Sequence, residues 1–229
     1  MANNIKEAMR TQRLYAYPEH SIAYPLIAKF EYPWQALPFI SAYITEIGQS
    51  LSTEEYDKVG EGIWIAKDAR VAPSACINGP CIIGKGAEIR HCAFIRGSAI
   101  VGEGAVVGNS TELKNCILFD GVQVPHYNYV GDSILGYKSH MGAGSITSNV
   151  KSDKTPVCVR AQGELIETGF KKFGAMLGDY VEVGCNSVLN PGTVIGTGAI
   201  VYPLSSVRGF VPENCIHKTR DNIVQKRKN

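Results

Sequence analysis

Aliphatic residues recur along this chain with a period that belongs to neither a helix nor a simple strand. From Ile65 a branched or aromatic residue returns every six positions, at Ile65, Val71, Ile77, Ile83, Ile89, Ile95, Val101, Val107, Leu113 and Phe119. Four residues after most of these comes something small, as at Ala69, Ala75, Ala87, Ala93, Ala99, Ala105 and Thr111, and glycine often follows directly, as at Gly84, Gly102 and Gly108. A second block keeps the rule at Leu177, Val183, Leu189, Ile195, Val201 and Val207. Helices repeat at about 3.6 and half-buried strands at about 2, so a period of six calls for another architecture. Each hexad reads as a short strand plus a turn, and three hexads close a triangular coil. The branched residue points inward and stacks on its equivalent one coil later. The small residue fits the corner, where glycine accepts turn dihedrals at low cost. The pattern predicts an all-β fold, a parallel β-helix.

Two segments fall outside the repeat. Residues 1–60 are rich in proline and aromatics, then give PWQALPFISAYITEIGQSL, where Leu37, Ile40, Tyr43, Ile44 and Ile47 stand at helical spacing. One amphipathic helix is expected there. Residues 151–173 alternate at Val157 and Val159 before a turn-like Ala161-Gln162-Gly163-Glu164, which predicts an inserted β-hairpin. The expected organisation is an N-terminal extension (1–60), the solenoid (61–210) carrying the hairpin, and a solvated basic tail (211–229). Between Phe119 and Leu135 the repeat slips by two residues, so a loop is expected to leave the coil there, carrying His126 and Tyr129.

Charge changes the picture little. A net charge of +2 gives no field that would hold nucleic acid. The 7 cysteines make an odd count without a C-x-x-C pair, which argues against a disulfide framework and a zinc knuckle. Cys92, Cys116 and Cys185 read as small packing residues, and His20, His91 and His217 as surface residues. No H-x-x-x-x-H pair supports a metal-dependent carbonic anhydrase, so no metal site is expected. The absence of an apolar leader or spanning run predicts a cytoplasmic protein without a membrane partner.

Chemistry gathers at the slip. Arg96, Glu112, Lys114, His140 and Asn149 lie near His126 in sequence, and Arg96–Lys114 and Lys114–Asp132 are each eighteen residues apart, one turn of three hexads. That spacing places two cations on one edge beside a histidine, which suits an anionic substrate losing a proton.

The hexad spacing resembles the left-handed triangular form of the β-helix. Residues 93–149, AFIRGSAIVGEGAVVGNSTELKNCILFDGVQVPHYNYVGDSILGYKSHMGAGSITSN, resemble the acetyltransferase domain of the bifunctional N-acetylglucosamine-1-phosphate uridyltransferases. GFKKFGAMLGDYVEVGCNSVLNPGTVIG is closer to the archaeal sugar-1-phosphate nucleotidylyltransferases that carry a C-terminal acetyltransferase. The resemblance implies a homotrimer with sites shared between subunits, transferring acetyl from acetyl-CoA to an amino-sugar 1-phosphate. It places Arg96 and Lys114 on the sugar phosphate, His126 as base, Tyr129 on the substrate and Asn149 as the active-site asparagine. Ala143 falls where the backbone meets acetyl-CoA, and Arg220 near the coenzyme phosphates. His140 stands where the family has a sugar-contacting asparagine. The G-x-G-T-x-x-x-P-K nucleotide loop is absent from the sequence, so no nucleotidyltransferase activity is expected. A non-catalytic trimer binding a nucleotide sugar or CoA, and a sugar O-acetyltransferase, are the competing readings.

Overall fold

The computed structural model describes residues 2–161 and 163–226; Gln162 of the expected turn, and Arg227 and Lys228 of the basic cluster, lie outside the described residues. The chain forms a left-handed parallel β-helix whose strands lie in one 14-stranded and one 9-stranded sheet. Three faces follow in turn around each coil. The stacked inward residues are Ile83, Val101, Leu118 and Leu135 on the first face, Ile89, Val107, Val124 and Met141 on the second, and Ile95, Leu113 and Val130 on the third, all buried. These are largely the residues of the hexad pattern.

The pattern differs at its break. Ile95 pairs with Leu113 eighteen residues on, but Ala99 pairs with Cys116 and Leu113 with Val130, each seventeen on. The slip is two single-residue deletions, stacked at the corner between the third and first faces, at Lys114-Asn115 and again at Gly131-Asp132. No loop leaves the coil. The shortened corners let Glu112–Leu118 and Tyr129–Leu135 pass from one face to the next as continuous strands. Leu118 therefore occupies the stack, and Phe119 packs against Tyr15 with ring centroids 4.9 Å apart.

Outward positions on the first face are also apolar: Ile82, Ile100, Ile117, Ile134 and Met176 are fully buried. A strand apolar on both sides needs cover, and the N-terminal extension supplies it. The predicted single helix is two elements, a 3-10 helix Pro33–Phe39 and an α-helix Ile40–Gly48. Pro38 lacks the N–H that a continuous α-helix would use. Leu37, Ile40, Tyr43 and Ile44 are buried as their spacing predicts, and Ile47 partly. Gly48 lies against the Trp64 ring, where an added Cβ would come within 2.5 Å of ring carbon. Asp179 anchors the extension, accepting N–H donation from Ala16 at 2.7 Å and from Tyr137 at 2.8 Å.

The hairpin pairs Cys158–Ala161 with Glu164–Glu167. Tyr56–Gly60 closes one end of the prism, antiparallel to Ile63–Ala66. At the other end the expected tail is largely folded: Cys215–Thr219 continues the second face and pairs with Asn222–Gln225. His217, expected at the surface, takes an inward position beside Val201, is 4% exposed, and its Nδ1 has no partner among the described residues. Burial pushes its imidazole below the usual value. Of the cysteines read as packing residues, Cys116 is buried, but Cys92 and Cys185 are exposed at corners.

Candidate active site

His126 ends the strand Gln123–His126 on the second face, at the corner leading into the third, and its side chain is exposed. Tyr127 follows with φ 52, a left-handed conformation that makes the turn tight. The buried Asn128 secures it. Its Oδ1 accepts from the His126 N–H at 3.1 Å, while its Nδ2 donates to the carbonyls of Gly142 at 2.9 Å and Ser145 at 3.0 Å. Those carbonyls flank Ala143 one coil on, and the Gly144 N–H donates to the His126 carbonyl at 3.0 Å. One asparagine side chain thus fixes His126 relative to the segment that the resemblance associates with the acetyl donor.

Tyr129 starts the third face, in register with Glu112 below and Ile146 above. The far corner of that face holds the remaining polar residues. Arg96 and Lys114 stack on one edge as the spacing predicts, but both meet carboxylates. Arg96 donates to Glu112 at 2.7 Å, and Lys114 Nζ lies 3.3 Å from Asp132 Oδ2. Asp132 sits one residue beyond the partner of Lys114, since Lys114 pairs with Gly131. Its carboxylate also accepts from Asn115 Nδ2 at 2.9 Å and from Asn149 Nδ2. Asn149 Nδ2 further donates to the Tyr129 hydroxyl at 3.2 Å. Burial first, then the Asp132 and Glu112 carboxylates, push the Tyr129 hydroxyl above its ordinary value, so it stays protonated.

Asn149 is held on its backbone as well. The insertion leaves the prism there and returns at Phe173, whose N–H donates to the Asn149 carbonyl at 2.9 Å; the Gly174 N–H donates to the Asp132 carbonyl at 2.9 Å. The neck of the insertion and the shortened corner are one polar notch.

The structure therefore brings Arg96, Lys114, Tyr129 and Asn149 together along the third face and its far corner, with His126 and Ala143 at the near corner of the same face. The cations and the histidine stand at opposite edges of one face, because no loop carries His126 across. His140 lies on the second face, its Nδ1 2.8 Å from Glu182, away from Tyr129. Arg220 lies further off, at the turn of the C-terminal hairpin. It lines a cleft of about 1050 Å³ with Arg160 and Arg208. Four strand spacings separate its strand from that of His126, roughly 19 Å. Asn115 and Asn128 were not legible as site residues, and Asp132, noted only for its spacing from Lys114, stands one residue past the register that spacing implied. Among the described residues no group of histidine, cysteine, aspartate and glutamate is arranged to hold a metal ion, and no helix is long and apolar enough to cross a membrane.

The family described as the GMPPB C-terminal domain matches residues 77–206, more than half of the chain. The bifunctional protein GlmU of Methanococcus maripaludis is 34% identical over 124 residues, 54% of this chain and 30% of that protein. The bifunctional sugar-1-phosphate nucleotidylyltransferase/acetyltransferase of Sulfurisphaera tokodaii is 37% identical over 97 residues, 42% of this chain and 24% of that protein. Each match spans less than a third of the relative's own length. Among solved structures, the acetyltransferase domain of PglB from Neisseria gonorrhoeae in complex with acetyl coenzyme A is 16% identical, with a TM-score of 0.35, covering 72% of this chain and 57% of that one.

Proposed function

The chain belongs to the GMPPB C-terminal domain family, and from that premise we propose that it is an acetyl-CoA-dependent N-acetyltransferase acting on an amino-sugar 1-phosphate. One observation carries the reading: an exposed histidine and a polar notch holding lysine, tyrosine and asparagine stand at the two edges of a single face. A sugar laid across that face would reach both. The amine of an amino sugar is largely protonated near neutral pH, and an ammonium group cannot attack a thioester. The ammonium first releases one proton to solvent, and His126 takes a second as the nitrogen bonds to the thioester carbonyl carbon, later passing it to the leaving thiolate. Collapse of the tetrahedral intermediate expels the coenzyme thiolate, which is protonated on leaving.

Asn149 acts as a hydrogen-bond acceptor toward the substrate. Its amide nitrogen already donates to Asp132 and Tyr129, so its Oδ1 is left as an acceptor and holds a sugar hydroxyl at the phosphate end of the substrate. Backbone N–H donation near Ala143, one coil on from His126, is the proposed stabiliser of the intermediate's oxygen. Arg96 and Lys114 hold the phosphate, sharing their charge with Glu112 and Asp132, and supply position more than chemistry.

The reading is tested by thiol release from acetyl-CoA with glucosamine 1-phosphate, galactosamine 1-phosphate and free glucosamine compared. The phosphorylated amino sugars are expected to give the higher kcat/KM. Thiol release no faster than hydrolysis with all three would remove the proposed activity.

A further inference from the structure

We propose that Asp132 is a positioning residue for this acyl transfer. Its carboxylate sets which end of the Asn149 amide meets the acceptor, and it also sets how much of the Lys114 charge an anion can feel. The inference rests on the reading above for its catalytic consequence, but not for its geometry.

The Asp132 side chain is 5% exposed. A carboxylate so placed is costly unless its oxygens are matched by donors, and here three side chains match them: Lys114, Asn115 and Asn149. An ionised carboxylate can only accept hydrogen bonds. It therefore obliges Asn149 to turn its nitrogen inward, and the nitrogen's second hydrogen goes to the Tyr129 hydroxyl at 3.2 Å. The amide oxygen is the end left for a ligand. Toward Lys114 the same carboxylate is a counter-charge, with Nζ 3.3 and 3.4 Å from its two oxygens. With Arg96 matched by Glu112, the notch is electrically balanced before any anion arrives. Both effects trace to the shortened corner, which brings Asp132 under Asn149.

The backbone limits which variant is informative. Asp132 has φ 47, a region that aspartate and asparagine enter more readily than other residues with a side chain. Its own carbonyl accepts from Gly174 whatever the side chain is. Asp132→Asn keeps shape, backbone conformation and the link to the insertion neck, and removes only the charge and the obligatory acceptor. Asp132→Ala would add backbone strain and confound the comparison.

In Asp132→Asn, kcat should fall by roughly 10²-fold, the scale of a misplaced reacting group. KM for the phosphorylated amino sugar should fall too, because Lys114 has lost its counter-charge. Inorganic phosphate, titrated by calorimetry, should bind roughly three- to fivefold more tightly, in keeping with a partly screened ion pair. The Asn149 side-chain amide resonances, assigned by comparison with Asn149→Ser, should move. A rise in KM together with the fall in kcat, or phosphate affinity and Asn149 resonances both unchanged, would overturn the proposal. If the wild-type protein transfers no acetyl group, the proposed function falls, while the phosphate and resonance measurements still decide the role of Asp132.

Discussion

His126 is the residue on which the chemistry turns, and its surroundings make its removal informative. Asn128 grips the His126 backbone, not the ring, so His126→Ala should leave the corner and the neighbouring coil in place. General-base assistance is worth about 10²–10⁴ in rate. The variant should lose turnover by that order, keep its affinity for both substrates, and regain rate as pH rises and bulk water deprotonates the amine. A His126→Ala protein with wild-type kcat across the pH range would take the base out of the scheme. His126, Tyr129 and Asn149 were legible because the VPHYNYVGD and MGAGSITSN stretches carry them, and Lys114 because it stands eighteen residues after Arg96. What holds them was not. The pairing of Lys114 with Asp132, and hence the orientation of Asn149, depends on which corner lost a residue. A slip in a repeat shows how many residues are missing between two points, but not at which turn each was removed.

At the level of elements, the hexad pattern specified the strands because nearly all inward positions are aliphatic and stack on their equivalents one coil away. The pattern was weaker where an element answers to two rules at once. Residues 33–48 carry helical spacing and a proline, and the missing N–H of Pro38 split the helix although the buried positions survived. The docking of the extension at Asp179 was not legible either, since it joins residues 163 apart in sequence. Burial pushes the Asp179 carboxyl from 3.8 up to about 6, against the opposing pull of backbone N–H groups from Ala16, Tyr137 and Tyr17 and of His20. Between those values the folded state holds a proton that the unfolded chain has released. Stability from this group is therefore greatest at low pH, declines as pH rises through the window, and is level above it. Asp179→Asn cannot titrate. Its Tm relative to wild type should climb from about pH 4 to about pH 6 and then stay constant. A difference that is flat across the range would show that this carboxyl does not titrate there.

For the whole molecule, the extension settles which surfaces remain for association. It covers the first face, leaving the second and third, and the corner between these two carries His126. Closed rotational symmetry is the usual outcome for like chains that associate, and the trimer that the resemblance implies would set that corner against a neighbouring subunit. Sedimentation is expected to give a species of about three times the 24.8 kDa chain. A stable monomer at micromolar concentration would remove both the assembly and the shared site.

The extension also fixes an order of events during synthesis. Tyr15 reaches the Ile134 carbonyl and Met176, and Thr197 reaches the carbonyls of Arg13 and Leu14. The stretch around Arg13–Tyr15 has no surface to dock on until nearly all the coils have formed, whereas the helix Ile40–Gly48 meets the early coils. Contacts so distant along the chain close slowly, and until they do the late part of the apolar stripe, at Ile134 and Met176, lacks its Tyr15 cover. A nascent prism thus carries its own cover as a tethered, unfolded leash, and its exposure to aggregation ends only when that leash is drawn in.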